Sequence, residues 1–100
     1  MDRPRILVDF NELVTPNLLL LSKKDIKQDS DGNDVSLSEG IRVHVYEIDC
    51  DDDGRPAALV AEGIVELNDP AINGHWTKAV KWCCRIDAKG IYHLPSEVLK

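Results

Sequence analysis

The residues with the most to offer chemically form one short run, Asp49-Cys50-Asp51-Asp52-Asp53-Gly54. It reproduces D-x-D-x-D-G, the first half of a calcium-binding loop, with acids at alternate positions and a glycine where the backbone must turn sharply. Ca2+ takes about six to eight hard oxygen ligands, and alternating carboxylates on a curved backbone converge on one point. The match then stops. The position for the bidentate glutamate holds Val60, Glu62 comes two residues late, and the flanks are strand-like instead of helical. The run is therefore no EF-hand. As a calcium-binding β-module it would use Asp49, Asp51 and Asp53, with Asp52 or Glu62 and the Arg55 carbonyl completing the shell. Otherwise it is a hairpin tip of turn-favouring residues whose charges discourage edge-to-edge aggregation. A second acidic stretch, from Asp29 to Asp34, has Lys27 where the first ligand would fall and reads as a solvated loop.

Cys50, Cys83 and Cys84, with His44, His75 and His93, raise the question of a cysteine nucleophile. That chemistry needs Cys83 on an outward strand face beside a histidine. No glycine-rich oxyanion turn flanks either adjacent cysteine, and a barrel of 100 residues leaves little room for a catalytic pocket. The expectation is a protein that is not an enzyme and carries no cofactor other than a possible Ca2+. An odd number of cysteines fits poorly with a disulfide framework, and neighbours on a strand point to opposite faces. The paired C-x-x-C spacing of a zinc ribbon is also missing. Trp76 stands in a polar loop, Ile72-Asn73-Gly74-His75-Trp76-Thr77, where strand packing has no need of it. Tryptophan there serves either as an interface anchor or as a lid over the end of a barrel. An aromatic cage would have only Tyr46, Trp76 and Tyr92 to draw on once Phe10 and Trp82 go to the core.

The charge background bears on partners. The chain has 100 residues, 18 acids and 12 bases, for a net charge of -6. From Asp29 to Asp69 the bases number only two, Arg42 and Arg55, against 12 acids. Such a middle would repel phosphate, so a nucleic-acid binder working by general electrostatics is not expected. Lys23, Lys24 and Lys27, then Lys78, Lys81, Arg85 and Lys89, form a patch only if the fold gathers them. The longest apolar run is Leu18 to Leu21, far short of the roughly 20 residues a bilayer span needs. With no apolar segment of a secretory signal behind Met1, the expectation is a cytoplasmic chain.

A chain of this length buries roughly 60–70% of its unfolded surface, enough for one modest core. Period-two alternation predicts a strand over Ile6 to Phe10. After Thr15-Pro16-Asn17, the segment Leu18 to Ser22 is either a short buried strand or a helix capped at Thr15; the strand is preferred. Residues 23–39 read as a long loop with an extended patch at Val35 to Leu37. Gly40 to Asp49 is the strongest strand, and an acidic turn over residues 50–56 joins it to a second strand, Ala57 to Leu67. Gly63 marks a bulge or sharp bend. After a loop over 68–77, a strand from Ala79 to Asp87 should turn Val80, Trp82, Cys84 and Ile86 inward and Lys81, Cys83, Arg85 and Asp87 to water. Ala88-Lys89-Gly90 makes a hairpin turn before Ile91 to Leu94.

Five or six short strands in a single domain predict an all-β fold. The layout resembles SH3-like barrels in its long first loop, central meander and short turn before the last strand; an OB-like barrel is the alternative. The resemblance is one of architecture and implies nothing about function. The expected function is a small non-enzymatic interaction module that binds a protein or peptide, preferably a basic one. Asp51, Asp52 and Asp53 would steer the partner, and His75 and Trp76 would anchor it.

Overall fold

The computed structural model describes residues 1–50 and 52–95. Among them are nine strands: β1 Ile6–Leu7, β2 Leu13–Thr15, β3 Leu18–Ser22, β4 Ile26–Gln28, β5 Asp34–Ser36, β6 Arg42–Cys50, β7 Pro56–Leu67, β8 Trp82–Ile86 and β9 Tyr92–Leu94. The helix α1, Pro70–Asn73, is a single turn. No helix among the described residues is long and apolar enough to cross a membrane.

The β6–β7 hairpin organises the rest. Val43 and Val45 alternate with half-buried His44 and Tyr46, and the two strands stay in register from Arg42↔Ile64 to Cys50↔Pro56. The far edge of β7 is divided between two partners. Gly63 to Leu67 pairs with β8, and Ala58 to Val60 pairs with β9. The changeover requires Gly63. A Cβ there would collide with the Arg85 carbonyl oxygen and lie 2.7 Å from Cys84 Sγ. The expected bulge is not formed, because the register against β6 runs through Gly63 unbroken. What this glycine permits is a close approach of two backbones.

β3 pairs with β8 on one side and β2 on the other, giving the path β1-β6-β7-β8-β3-β2. β1 runs parallel to β6, and β4–β5 is a separate pair that touches the main sheet at the Ile6–Asp29 bridge. No closed barrel forms among the described residues, so the architecture that stands is a small, compact all-β domain.

All five residues of β3 are buried, which settles its identity as a strand and changes the facing of β8. Leu19 and Leu21 pack into the main core with Val45, Ala61, Val65, Trp82 and Cys84. Leu18 and Leu20 form a second cluster with Cys83, flanked by Val14 and Val80. Cys83, expected to face water, is therefore buried, and Val80 packs on its side of the sheet instead of with Trp82. Alternation separates the two faces of a strand but does not say that one is wet.

Other boundaries also differ. Asp9 accepts a hydrogen bond from the Asn11 amide and starts a 3₁₀ turn, which carries Phe10 into the core outside any strand. Most of the expected loop over 23–39 is the β4–β5 hairpin. Its turn is closed by Asp29 Oδ1, which accepts from the amides of Asp31 and Asn33, while Gly32 takes a positive φ of 83°. The loop over 68–77 is folded as α1 and a 3₁₀ turn, His75–Thr77.

Candidate functional site

The acidic tip is arranged as a hairpin end. Asp49 and Cys50 belong to β6, opposite Ala57 and Pro56, and among the described residues the turn takes in Asp52 to Gly54. Asp49 Oδ2 lies 3.9 Å from His93 Nε2 on β9. Asp52 and Asp53 are exposed, and Asp51 lies outside the described residues. Among the described residues, no three His, Cys, Asp or Glu side chains gather where a metal ion could sit.

Trp76 is 65% exposed and Ile72, one helical turn earlier, 82%. Asn68 holds their loop. Its Nδ2 donates to the carbonyls of Thr77 and Val80, both at 2.9 Å, and its Oδ1 accepts from Asn73 Nδ2 at 2.8 Å. The Trp76 indole is set against Gly74, whose φ is 109°. The tip and this loop follow opposite ends of β7. At roughly 3.3 Å per residue, its twelve residues separate them by about 35 Å. Asp52 and Asp53 therefore do not share one small contact surface with His75 and Trp76.

The thiols divide sharply. Cys50 is exposed, whereas burial pushes Cys83 up to about 11 and Cys84 up to about 12. Both stay protonated at neutral pH, and a thiol without its thiolate is a poor nucleophile.

A groove of about 650 Å³ lies between β3, β4 and the end of β1. Its apolar lining is Leu7, Leu20, Leu21, Ile26 and Val80, and its rim carries Lys23, Lys24 and Lys27 against one acid, Glu12. Leu7 and Ile26 are 55% and 52% exposed. The turn that presents Lys23 and Lys24 is tied from both ends. Ser22 Oγ accepts from the Lys24 amide at 3.0 Å and donates to the Lys24 carbonyl at 2.7 Å. Asp25 Oδ1 accepts from Trp82 Nε1 at 2.9 Å and from Lys81 Nζ at 2.7 Å, which holds its carboxyl below the usual range. Among the described residues, none of Lys23, Lys24 and Lys27 forms an ion pair.

The remaining bases do not join them. Lys81 is held by Asp25, Arg85 by Glu66 at 2.7 Å, and Lys89 lies 4.1 Å from the centroid of the Tyr92 ring.

A second constellation went unnoticed in the sequence. Arg5 is only 1% exposed. Its Nε and Nη2 donate to the two carboxylate oxygens of Asp2, both at 2.9 Å, and Nη1 donates to the carbonyls of Val45 and Ala61, both at 3.3 Å. Glu62 Oε1 lies 3.7 Å from Nη2 and accepts a 2.6 Å hydrogen bond from Tyr92 Oη. Burial opposes the charge on Arg5, but the hydrogen bonds to Asp2 and Tyr92 and the fields of Asp2 and Glu62 outweigh it, so the guanidinium stays charged. His44 stands opposite Glu62 in the register. His44 Nδ1 and Glu62 Oε2 are buried without a hydrogen-bond partner among the described residues. Burial, then the cations Arg3 and Arg5, push His44 below its usual value. This cluster fastens the N-terminal segment across β6, β7 and β9. Its donors are consumed internally, so it offers little to a ligand.

Comparison with protein-family models, with curated proteins and with solved structures found no match for this chain.

Proposed function

We propose that this protein is a non-enzymatic interaction module whose main contact surface is the lysine-rimmed groove, and that its partner is an acidic peptide segment with apolar side chains. The observation that carries the reading is three lysines, with no ion pair among the described residues, around exposed Leu7 and Ile26 in a chain of net charge -6. An acidic protein that concentrates bases around one apolar opening favours a negatively charged partner there and repels one elsewhere. This reverses the partner charge expected from the sequence, because the groove offers an apolar lining together with its cations. The exposure of Ile72 and Trp76 favours a second, smaller contact at the other surface.

The test is a titration of the full chain with a short peptide of Glu and Val, followed by two-dimensional amide NMR. Shifts should map to Leu20 through Gln28 and weaken with salt. Replacing Lys23, Lys24 and Lys27 together by Glu should abolish them, while Lys78→Glu should leave them unchanged. Binding indifferent to the triple change would refute the groove.

A further inference from the structure

The chain itself carries a segment of the kind the groove selects. Ile48, near the end of β6, is 59% exposed. Beyond it the hairpin turns through Asp52 and Asp53, both exposed, and the sequence from Asp51 to Arg55 holds three acids and one base. Alternation along the strand turns Asp49 to the other face, toward His93, and leaves Ile48 as the large apolar side chain beside the turn. The tip also projects. β1 accompanies β6 only as far as Tyr46, and β9 accompanies β7 only as far as Ala58. Past those points no strand flanks the hairpin among the described residues. A chain cannot seat its own tip under its own lysine turn. Ser22, which opens that turn, lies opposite Trp82, and Trp82 lies opposite Leu67 at the far end of β7. At roughly 3.3 Å per residue, the twelve residues of β7 put about 35 Å between the two ends.

We propose that the groove receives the hairpin tip of a second copy of this chain. The idea rests on the groove reading above and names the occupant. Ile48 of one copy rests against the exposed Leu7 and Ile26 of the other, and Asp52 and Asp53 lie among the three lysines. Charge complementarity carries the match, since the groove sets three bases against one acid and the tip reverses that ratio. Leu20 and Leu21 stay buried as the floor, and no strand edge has to open. Different patches meet on the two sides, so the contact is heterologous. It repeats from copy to copy and ends only where the rotation closes a ring. One hairpin tip covers little area, which places the contact among weak and reversible associations.

The experiment is sedimentation equilibrium on the full chain, with a reductant present so that exposed Cys50 does not join copies covalently. The average mass should rise between about 10 μM and 1 mM, and the Glu and Val peptide should return it to that of one chain. Two charge variants then test the match. Changing Lys23, Lys24 and Lys27 to Glu makes groove and tip both acidic, and changing Asp52 and Asp53 to Lys makes both basic. Each variant alone should stay a single chain. Mixed in equal amounts they should associate, because each groove then meets a tip of opposite charge. Ile48→Ser alters an exposed side chain without changing charge and should weaken association by roughly ten-fold. A chain that stays single at 1 mM while the peptide binds would overturn the second copy as occupant and keep the groove. Failure of both to bind would overturn both. Association that survives in either charge variant alone, that mixing does not restore, or that ignores Ile48→Ser would place the contact elsewhere and overturn the proposal.

Discussion

The molecule holds cations in two opposite ways. At Arg5 the guanidinium is enclosed and hydrogen-bonds Asp2, two strand carbonyls and the Tyr92 hydroxyl, with Glu62 3.7 Å away. At the groove, Lys23, Lys24 and Lys27 are held by a tied turn and a short strand, yet they form no ion pair among the described residues. Arginine suits the first place because its planar fork satisfies several acceptors at fixed angles, and lysine suits the second because a mobile point charge adapts to what arrives. Charge that is used up inside a protein stabilises it, and charge left unsatisfied at an apolar opening is available to a partner.

The comparison breaks most visibly at Arg5. Arg5→Met leaves Asp2 and Glu62 without their buried cation and should cost about 3–5 kcal/mol, read as a drop in the urea midpoint. Adding Glu62→Gln to that variant should restore part of the loss; no recovery would show that the acid is not what suffers.

Gly63 lies on β7 where pairing passes from the clasp side to the groove side. Gly63→Ala must push β8 away and should cost about 1–3 kcal/mol. Hydrogen exchange in β8 should rise more than in β6, and uniform loosening would contradict this placement.

Acid should weaken the clasp in two steps. His44 is a base whose folded pKa lies below its unfolded value near 6.5, so its contribution is full above that pH and is withdrawn as the pH falls below it. Asp2 is held below its usual 3.8, first by the hydrogen bond from Arg5. Its contribution is present above that value and disappears as the pH falls through the lower folded one. Urea midpoints measured from pH 8 to 2 should sag twice. His44→Gln should remove the upper step and Asp2→Asn the lower.

The smallest effect on stability belongs to the groove. Changing Lys23, Lys24 and Lys27 one at a time to Glu should alter stability by no more than about 0.5 kcal/mol each. A larger loss would mean that these lysines serve the fold after all.

Much of the frame was legible. β6 and β7 announce themselves by alternation of β-branched residues, whereas Leu18 to Ser22 allowed a strand or a capped helix until burial on both faces settled it as β3. β4 and β5 gave no such signal, because each is three residues long and mostly exposed. Cys83 was misplaced because its burial depends on Leu18 and Leu20, far away in the chain. The site was the least legible part. Lys23, Lys24 and Lys27 converge because Ser22 and Asp25 tie the intervening turn and β4 returns beside β1. Arg5 resembles any basic residue near a terminus until the carbonyls of Val45 and Ala61 are brought to it. The acidic tip and Trp76, conspicuous as residue types, lie at opposite ends of a long strand.

Arg5 and Tyr92 are 87 positions apart in the chain, which has a consequence for how the protein is made. Synthesis delivers Arg5 first, but the surface that encloses it is complete only when β9 has emerged. Contacts of such long sequence separation slow folding, since the chain must be closed into a loop before they form. Until then Arg5 and Glu62 both lack the Tyr92 hydroxyl that joins them. Arg5 is thus made long before its last hydrogen-bond partner, and its enclosure is finished only when both ends of that contact are present.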